Sequence, residues 1–373
     1  MSGSTAASED GHHAARHASS REVIPVTSRG GPLSRVVVVE AIGPDAPDAL
    51  AHAAGLCGRM AADLGATVIR LAPSGKSETG VFLHHGKRLI ATTAEDFLRH
   101  VAIHGAGADA LICDSGTHAH LSLGPQTIAV LIGMSLDEPL RGSELTAEAR
   151  CGLLDLIGDP DRAPLRLAGH QLAYSAGLSA YLGLVAALTQ RDAGRPAGPV
   201  HVDLLDVGVW LNWKALSTAA RTGQSPMRPG AKAEWTIVPC RDGYVALVYR
   251  IQEWTSLKVA TGDARLADPR FETVARRSQN RAELNAILAD IFAGKTRAEI
   301  RTMALSHKLP LGPVWTPEEL KRDPHMIERG YFQPVTVDGQ ALAMPSLPVL
   351  WNGSAFPPGG FAHAAQDNRA ISG

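Results

Sequence analysis

The stretch Gly169–Gly194, GHQLAYSAGLSAYLGLVAALTQRDAG, sets a histidine beside two hydroxyls at the entrance to an apolar run. A serine or tyrosine hydroxyl attacks only when a base removes its proton, and histidine is the usual base near neutral pH. Ser175, with Tyr174 beside it, is therefore a candidate nucleophile, and His170 is the nearest base in sequence. No aspartate or glutamate stands between Gly169 and Gly177. The four cysteines, Cys57, Cys113, Cys151 and Cys240, fall in no CxxC or zinc-ligand spacing. They read as buried thiols of a reducing, cytoplasmic compartment. His12, His13 and His17 lie in a polar, low-complexity stretch and read as solvated residues, so no metal site is expected.

These residues need a scaffold, and composition bounds it. The chain has 373 residues, 45% hydrophobic and 20% charged, with a formal net charge of -1. That length suits one large domain or two ordinary ones. The near-zero charge provides no field to attract nucleic acid or anionic lipid, so neither partner is expected. The longest apolar run, Gly177 to Leu188, is shorter than the roughly 20 residues that cross a bilayer. Residues 1–31 lack an apolar segment and read as a flexible tail.

Strands and helices then alternate. SRVVVVEAI (34–42) is a β-branched run and reads as a buried strand. PDALAHAAGLCGRMAADLGA is a small-residue helix stopped by Gly65. ATVIRLA, KRLIAT, ADALICD and QTIAVLIGMSL read as further strands, with AEDFLRHVAIHG as a helix among them. This alternation implies α/β architecture with a parallel sheet covered on both faces. A long helical region is expected from Ser175 to Ala220, and then a Gly/Pro/Ser-rich linker at 222–232. Next, WTIVPCRDGYVALVY reads as two strands around Arg241-Asp242-Gly243. Two helices follow, one N-capped by Asn280 with Leu284, Ile287, Leu288 and Ile291 on one face, the other capped by Thr296. A small α+β unit is thus expected over 233–328, and the late extended pieces must pack on something already built. A dinucleotide fold is disfavoured, because no GxGxxG follows the first strand and no acidic residue ends the second.

The order of motifs resembles family III CoA-transferases, the group that includes formyl-CoA and carnitine CoA-transferases. GLCGRMAADLGATVIRLAPSG, HHGKRLI, ADALICD, GLSAYLGLVAALTQRDAGRPAGPVHVDLLD, DPRFETVARRSQNRAEL and LPLGPVWTPEELKRDPHMIERGYF carry it, in sequence, from about Arg35 to Asn368. The resemblance implies a Rossmann-like large domain (32–221 and 329–373) with an inserted small α+β domain. It also implies that two chains thread into an interlocked-ring dimer. The implied substrates are acyl-CoA thioesters and carboxylic acids, with CoA as substrate and no tightly bound cofactor.

The resemblance further implies an aspartate nucleophile, four residues before the glycine that opens the buried helix. That glycine matches Gly177, so the aspartate's place is Ala173. A carboxylate suits this role because it is ionised near neutral pH and its anhydride is itself activated; a methyl group cannot attack. Asp159 and Asp161 lie too early to replace it. Two alternatives remain: a substitute nucleophile, Ser175 first, or a chain without a transferase nucleophile of its own. In the second case it would bind or scaffold as half of a heteromer with a homologous subunit that carries the aspartate, rather than act as a homodimer. The His/Asp stretch of the family's racemase branch is not found; the region reads IGMSLDEPLRGSELTAEARCG. For CoA the resemblance points to Ala51, His52 and Ala53, to Arg70 and the residues up to Pro73, and to Asp114 and Ser115. Lys87 and Arg88 are further cations that could face phosphate.

Overall fold

A computed structural model describes residues 30–73, 78–135, 142–337, 339–351, 353–356 and 358. The flexible tail expected at 1–31 therefore lies almost wholly outside the described residues.

The first half builds one sheet. β1 (Val37–Ala41) leads through α1 (Asp48–Asp63) to β2 (Thr67–Pro73), and α2 (Glu78–His84) leads to β3 (Arg88–Thr92). α3 (Phe97–Gly105), β4 (Ala110–Asp114), α4 (Ser115–His118), β5 (Ile128–Gly133), α5 (Glu144–Arg150), α6 (Gln171–Asp192) and β6 (Val200–Asp203) follow. The six strands lie in the order β3-β2-β1-β4-β5-β6, and every pairing is parallel. This is the strand order of a doubly wound nucleotide-binding sheet.

The alternation in VVVVEA sorts the core. Val38, Val68, Ile112 and Val130 face α1 and α6, whereas Val39, Ile69, Leu111 and Cys113 face Phe97 and Val101 of α3. Both faces are covered, which is why β1 and β4 are buried along their whole length.

α1 is built of small residues for a reason visible across the interface. A Cβ placed on Gly177 of α6 would lie 2.5 Å from the Ala53 carbonyl oxygen and 3.0 Å from the Leu56 Cβ. The two helices thus cross with their backbones nearly touching. α6 is also long and apolar enough, by length and composition, to cross a membrane. It runs beyond the Gly177–Leu188 apolar run at both ends, and here it packs against α1, β5 and β6.

The helical region expected from Ser175 to Ala220 is interrupted. Gly194 adopts positive φ after α6, Pro196 follows, and the chain extends into β6 at the sheet edge. Helices resume as α7 (Leu204–Leu211) and α8 (Trp213–Thr222). A second core then forms around β7 (Thr236–Cys240) and β8 (Gly243–Leu247), which pair as an antiparallel hairpin. α9 (Trp254–Thr261), α10 (Val274–Gln279), α11 (Arg281–Ala293) and α12 (Arg297–His307) surround it. Leu284 and Leu288 are fully buried there. Asn280 precedes α11 but does not cap it; its Nδ2 donates to the Arg276 carbonyl instead. Thr296 does cap α12, in a reciprocal box with Glu299.

The chain ends with β9 (Gly312–Pro313), α13 (Pro317–Leu320), α14 (Pro324–Glu328) and a β10–β11 hairpin (Phe332–Val337 and Gln340–Pro345). Leu347 and Phe356 then pack on Met60 and Leu64, next to α1 and the sheet.

The close crossing makes a prediction. Gly177→Ala should destabilise the protein by about 1–3 kcal/mol, the usual cost of overpacking a tight core. Gly107→Ala, where an added Cβ meets nothing within 4 Å, is the control and should leave the melting temperature unchanged. Equal melting temperatures for the two variants would contradict the crossing.

Candidate active site

The carboxyl ends of β1 and β2 open onto a cleft of about 140 Å³, lined in part by Ile42, Gly43, Asp48, Ala51, Arg70 and Ala72. Glu40, the only acidic residue of β1, forms its inner wall. The Glu40 carboxylate accepts a hydrogen bond from Lys87 Nζ at 2.5 Å, and Arg70 Nη1 lies 3.3 Å from its other oxygen. Lys87 also donates to the Gly55 carbonyl of α1 at 2.7 Å. Gly58 makes this possible, because a Cβ there would lie 2.3 Å from Glu40 Oε2. Burial pushes the Lys87 ammonium down to about 8, against the pull of Glu40. Burial, Lys87 and Arg70 push the His84 imidazole strongly down, so it sits neutral beside these cations.

The residues singled out for CoA therefore divide. Ala51 and Arg70 line the cleft. His52 is the next residue of α1 and turns toward α6, and Ala53 is buried in the crossing. Lys87 is inside the fold with its ammonium on Glu40, while Arg88 is exposed on β3. Asp114 is buried, accepting from the amides of Gly43 and Thr117 and from the Thr117 hydroxyl, so the β1–α1 turn is held by a carboxylate. Ser115 is exposed at the start of α4.

A second cluster lies where α6 begins. Ala173 is in the first turn, wholly buried, and its amide donates to Glu144 Oε1 at 2.9 Å. An N–H in the first turn has no partner within its own helix, so the α5 carboxylate completes it. The other Glu144 oxygen lies 2.9 Å from His170 Nδ1 and 3.1 Å from Arg166 Nη2. A carboxylate only accepts, so His170 Nδ1 carries the proton and Nε2 the lone pair. The His170 ring stacks on His52 with centroids 3.8 Å apart, and Tyr174 meets it edge-on at 5.9 Å. Burial, and next the neighbouring His170, lower the His52 imidazole. Arg166 Nε reaches Glu148 at 3.1 Å, and burial raises that carboxyl. Ser175 Oγ donates to the Gln171 carbonyl one turn back, at 2.8 Å. Tyr174 and Ser175 border an apolar cavity of about 300 Å³ between α1, α6 and Tyr331 and Leu347 of the returning chain. Among the described residues no group of three or more metal-ligating side chains occurs.

Against known families, the model for CoA-transferase family III matches residues 136–359, more than half of the chain. This chain belongs to CoA-transferase family III. It is 27% identical over 314 residues to a succinyl-CoA–D-citramalate CoA-transferase of Chloroflexus aurantiacus, covering 73% of this chain and 77% of that protein. A CAIB/BAIF family protein from Brucella suis has the same fold, with a TM-score of 0.73 at 22% identity over 89% of this chain and 96% of its own. The hypothetical protein Rv3272 from Mycobacterium tuberculosis superposes with a TM-score of 0.70 at 20% identity, covering 90% of this chain and 96% of its own.

For this family III chain, Glu144 and Arg166 were the residues sequence reasoning missed. Glu144 follows the N-cap Ser143 and looks like any acid in a helix's first turn. Nothing local ties it to Ala173, 29 residues later. The Glu40–Lys87 pair was equally hidden, since each residue reads alone as a strand or surface charge.

That pair has a measurable consequence. Lys87→Met should cost about 3–5 kcal/mol, because it leaves the Glu40 carboxylate buried without its ammonium. Adding Glu40→Gln should recover part of the loss. Denaturant melts that find the single variant as stable as the parent would refute the structural role assigned to the pair.

Proposed function

We propose that this chain binds a CoA thioester of a carboxylic acid in the cleft beside Arg70 and Ala51, with the acyl end near the start of α6. Ala173 occupies the place of the family's aspartate nucleophile. CoA transfer between carboxylic acids then requires a homologous subunit that carries the aspartate, and this chain serves as the CoA-binding half of a heteromer.

The carrying observation is the chemistry at Ala173. Its methyl group is wholly buried and its amide is tied to Glu144. The Ser175 hydroxyl is bonded to a main-chain carbonyl rather than to a base, which weighs against it as a replacement nucleophile. Membership in the family and the succinyl-CoA–D-citramalate CoA-transferase relative support a CoA thioester as ligand. Succinyl-CoA is accordingly the first thioester to test.

An intertwined assembly, with a large domain of 32–221 and 329–373 and a small one of 233–328, belongs to the same proposal. In its favour are Trp210, Trp213 and Leu216, large apolar side chains exposed together along α7 and α8. The three buried cysteines of the four, all free, fit a reducing compartment. Light scattering at micromolar concentration should show a species of at least two chains; a monomer would contradict the assembly.

The nucleophile claim is tested by mass spectrometry after incubation with succinyl-CoA. The unmodified chain should carry no covalent CoA or acyl adduct. Ala173→Asp should gain one, since the aspartate would return to a retained site. An adduct on the unmodified chain would show that another side chain attacks.

A further inference from the structure

We infer that His170, held by Glu144, is a general base that drives water onto a bound acyl-CoA thioester, so that the chain hydrolyses such thioesters without a covalent intermediate. This rests on the CoA reading above and assigns a second activity to the same end of the site.

The argument begins with the tautomer. Glu144 Oε2 fixes the proton on His170 Nδ1 at 2.9 Å and leaves the ring's basic lone pair on Nε2. A carboxylate that orients an imidazole in this way also stabilises the imidazolium formed when the base takes a proton. The carboxylate is itself fixed, because Glu144 is buried and accepts from the Ala173 amide and from Arg166. His52 supplies a flat neutral face at 3.8 Å, and burial keeps it from competing for the proton. Of the two stacked rings, His170 is the one held by a carboxylate. Its side chain is 31% exposed, so water reaches it.

Position supports the assignment. Ala51 lines the cleft beside Arg70, and His52 is the next residue along α1. A thioester whose nucleotide end occupies that cleft needs only to follow α1 to meet His170. At Ala173 there is no carboxylate to attack first. Water is then the available nucleophile.

The step balances without any further reactant. Water oxygen attacks the thioester carbonyl while His170 Nε2 takes one of its protons. The tetrahedral intermediate collapses, the C–S bond breaks, and the imidazolium returns the proton to the departing CoA thiolate. The products are one carboxylic acid and one CoA thiol, and His170 ends neutral.

The test uses the full chain with acetyl-CoA and butyryl-CoA. Calorimetry measures binding, and chromatography measures CoA release against a protein-free control. We expect binding, release above the control, and a loss of at least about 100-fold in His170→Ala, the lower end of a general base's contribution. Added imidazole should restore part of the His170→Ala rate, which a purely structural role would not allow. The groups facing His170 are Glu144 and Glu148 of α5, Arg166, His52 of α1 and Tyr174 of α6. Glu144→Gln removes the charge that stabilises the imidazolium formed in the step, so it should also slow release, and it provides the readout if His170→Ala does not fold. Binding without release would overturn the hydrolytic activity and leave the CoA reading standing. No binding at all would overturn both. Release that His170→Ala and Glu144→Gln leave unchanged would remove His170 from the step.

Discussion

The backbone contact between α1 and α6 is the constraint on which the site depends. Gly177 can approach the Ala53 carbonyl only because it lacks a Cβ. That approach sets the two helix starts side by side. His52, one residue before Ala53, is thereby laid on His170, at the entry to α6. Ala173 sits one turn before Gly177 and is buried by the same packing. A bulkier residue at the crossing would separate the rings and uncover the first turn of α6. The small-residue composition of α1 is thus a condition of the site and not simply a helix preference.

Two buried carboxylates then fix what the crossing brings together. Glu40 at the end of the first strand anchors Lys87 inside the fold and faces Arg70 at the cleft. Glu144 completes the first turn of α6 and orients His170. Each accepts several donors, which is the condition under which a buried charge is tolerated. Arg70 is thus held at the cleft by a neighbour whose own charge is balanced by Lys87. Under the proposed function the position of Ala173, close to Glu144, is where a third carboxylate would stand. Like charges that near would repel each other.

Local signals in the sequence were sufficient for most elements. The β-branched run of Val37–Ala41 marks a strand buried on both faces, and Thr296 with Glu299 marks a helix start. Five of the six parallel strands follow from the strand–helix alternation, and the motif order carried the family. Local pattern failed where the deciding contact is distant. The edge strand Val200–Asp203 hides inside a helical stretch because its partner is β5, far back in the chain. Asn280 has the right type for a cap, yet its amide finds the carbonyl of the preceding helix. Lys87 shows no local sign that it turns inward, and Glu144 none that it meets α6. His170 was legible as a base only by proximity to hydroxyls, whereas its partners come from α5 and α1.

The central claim is that an acyl thioester bound by this chain meets His170 at the start of α6 and no carboxylate nucleophile. A crystal structure with a thioether analogue of butyryl-CoA, which cannot be cleaved, tests it most directly. The account predicts the nucleotide beside Arg70 and Ala51, the pantetheine running along the start of α1, and the acyl carbonyl beside the exposed edge of the His170 ring. An analogue whose acyl end points away from α6, or lies outside the β1–β2 cleft, would contradict it.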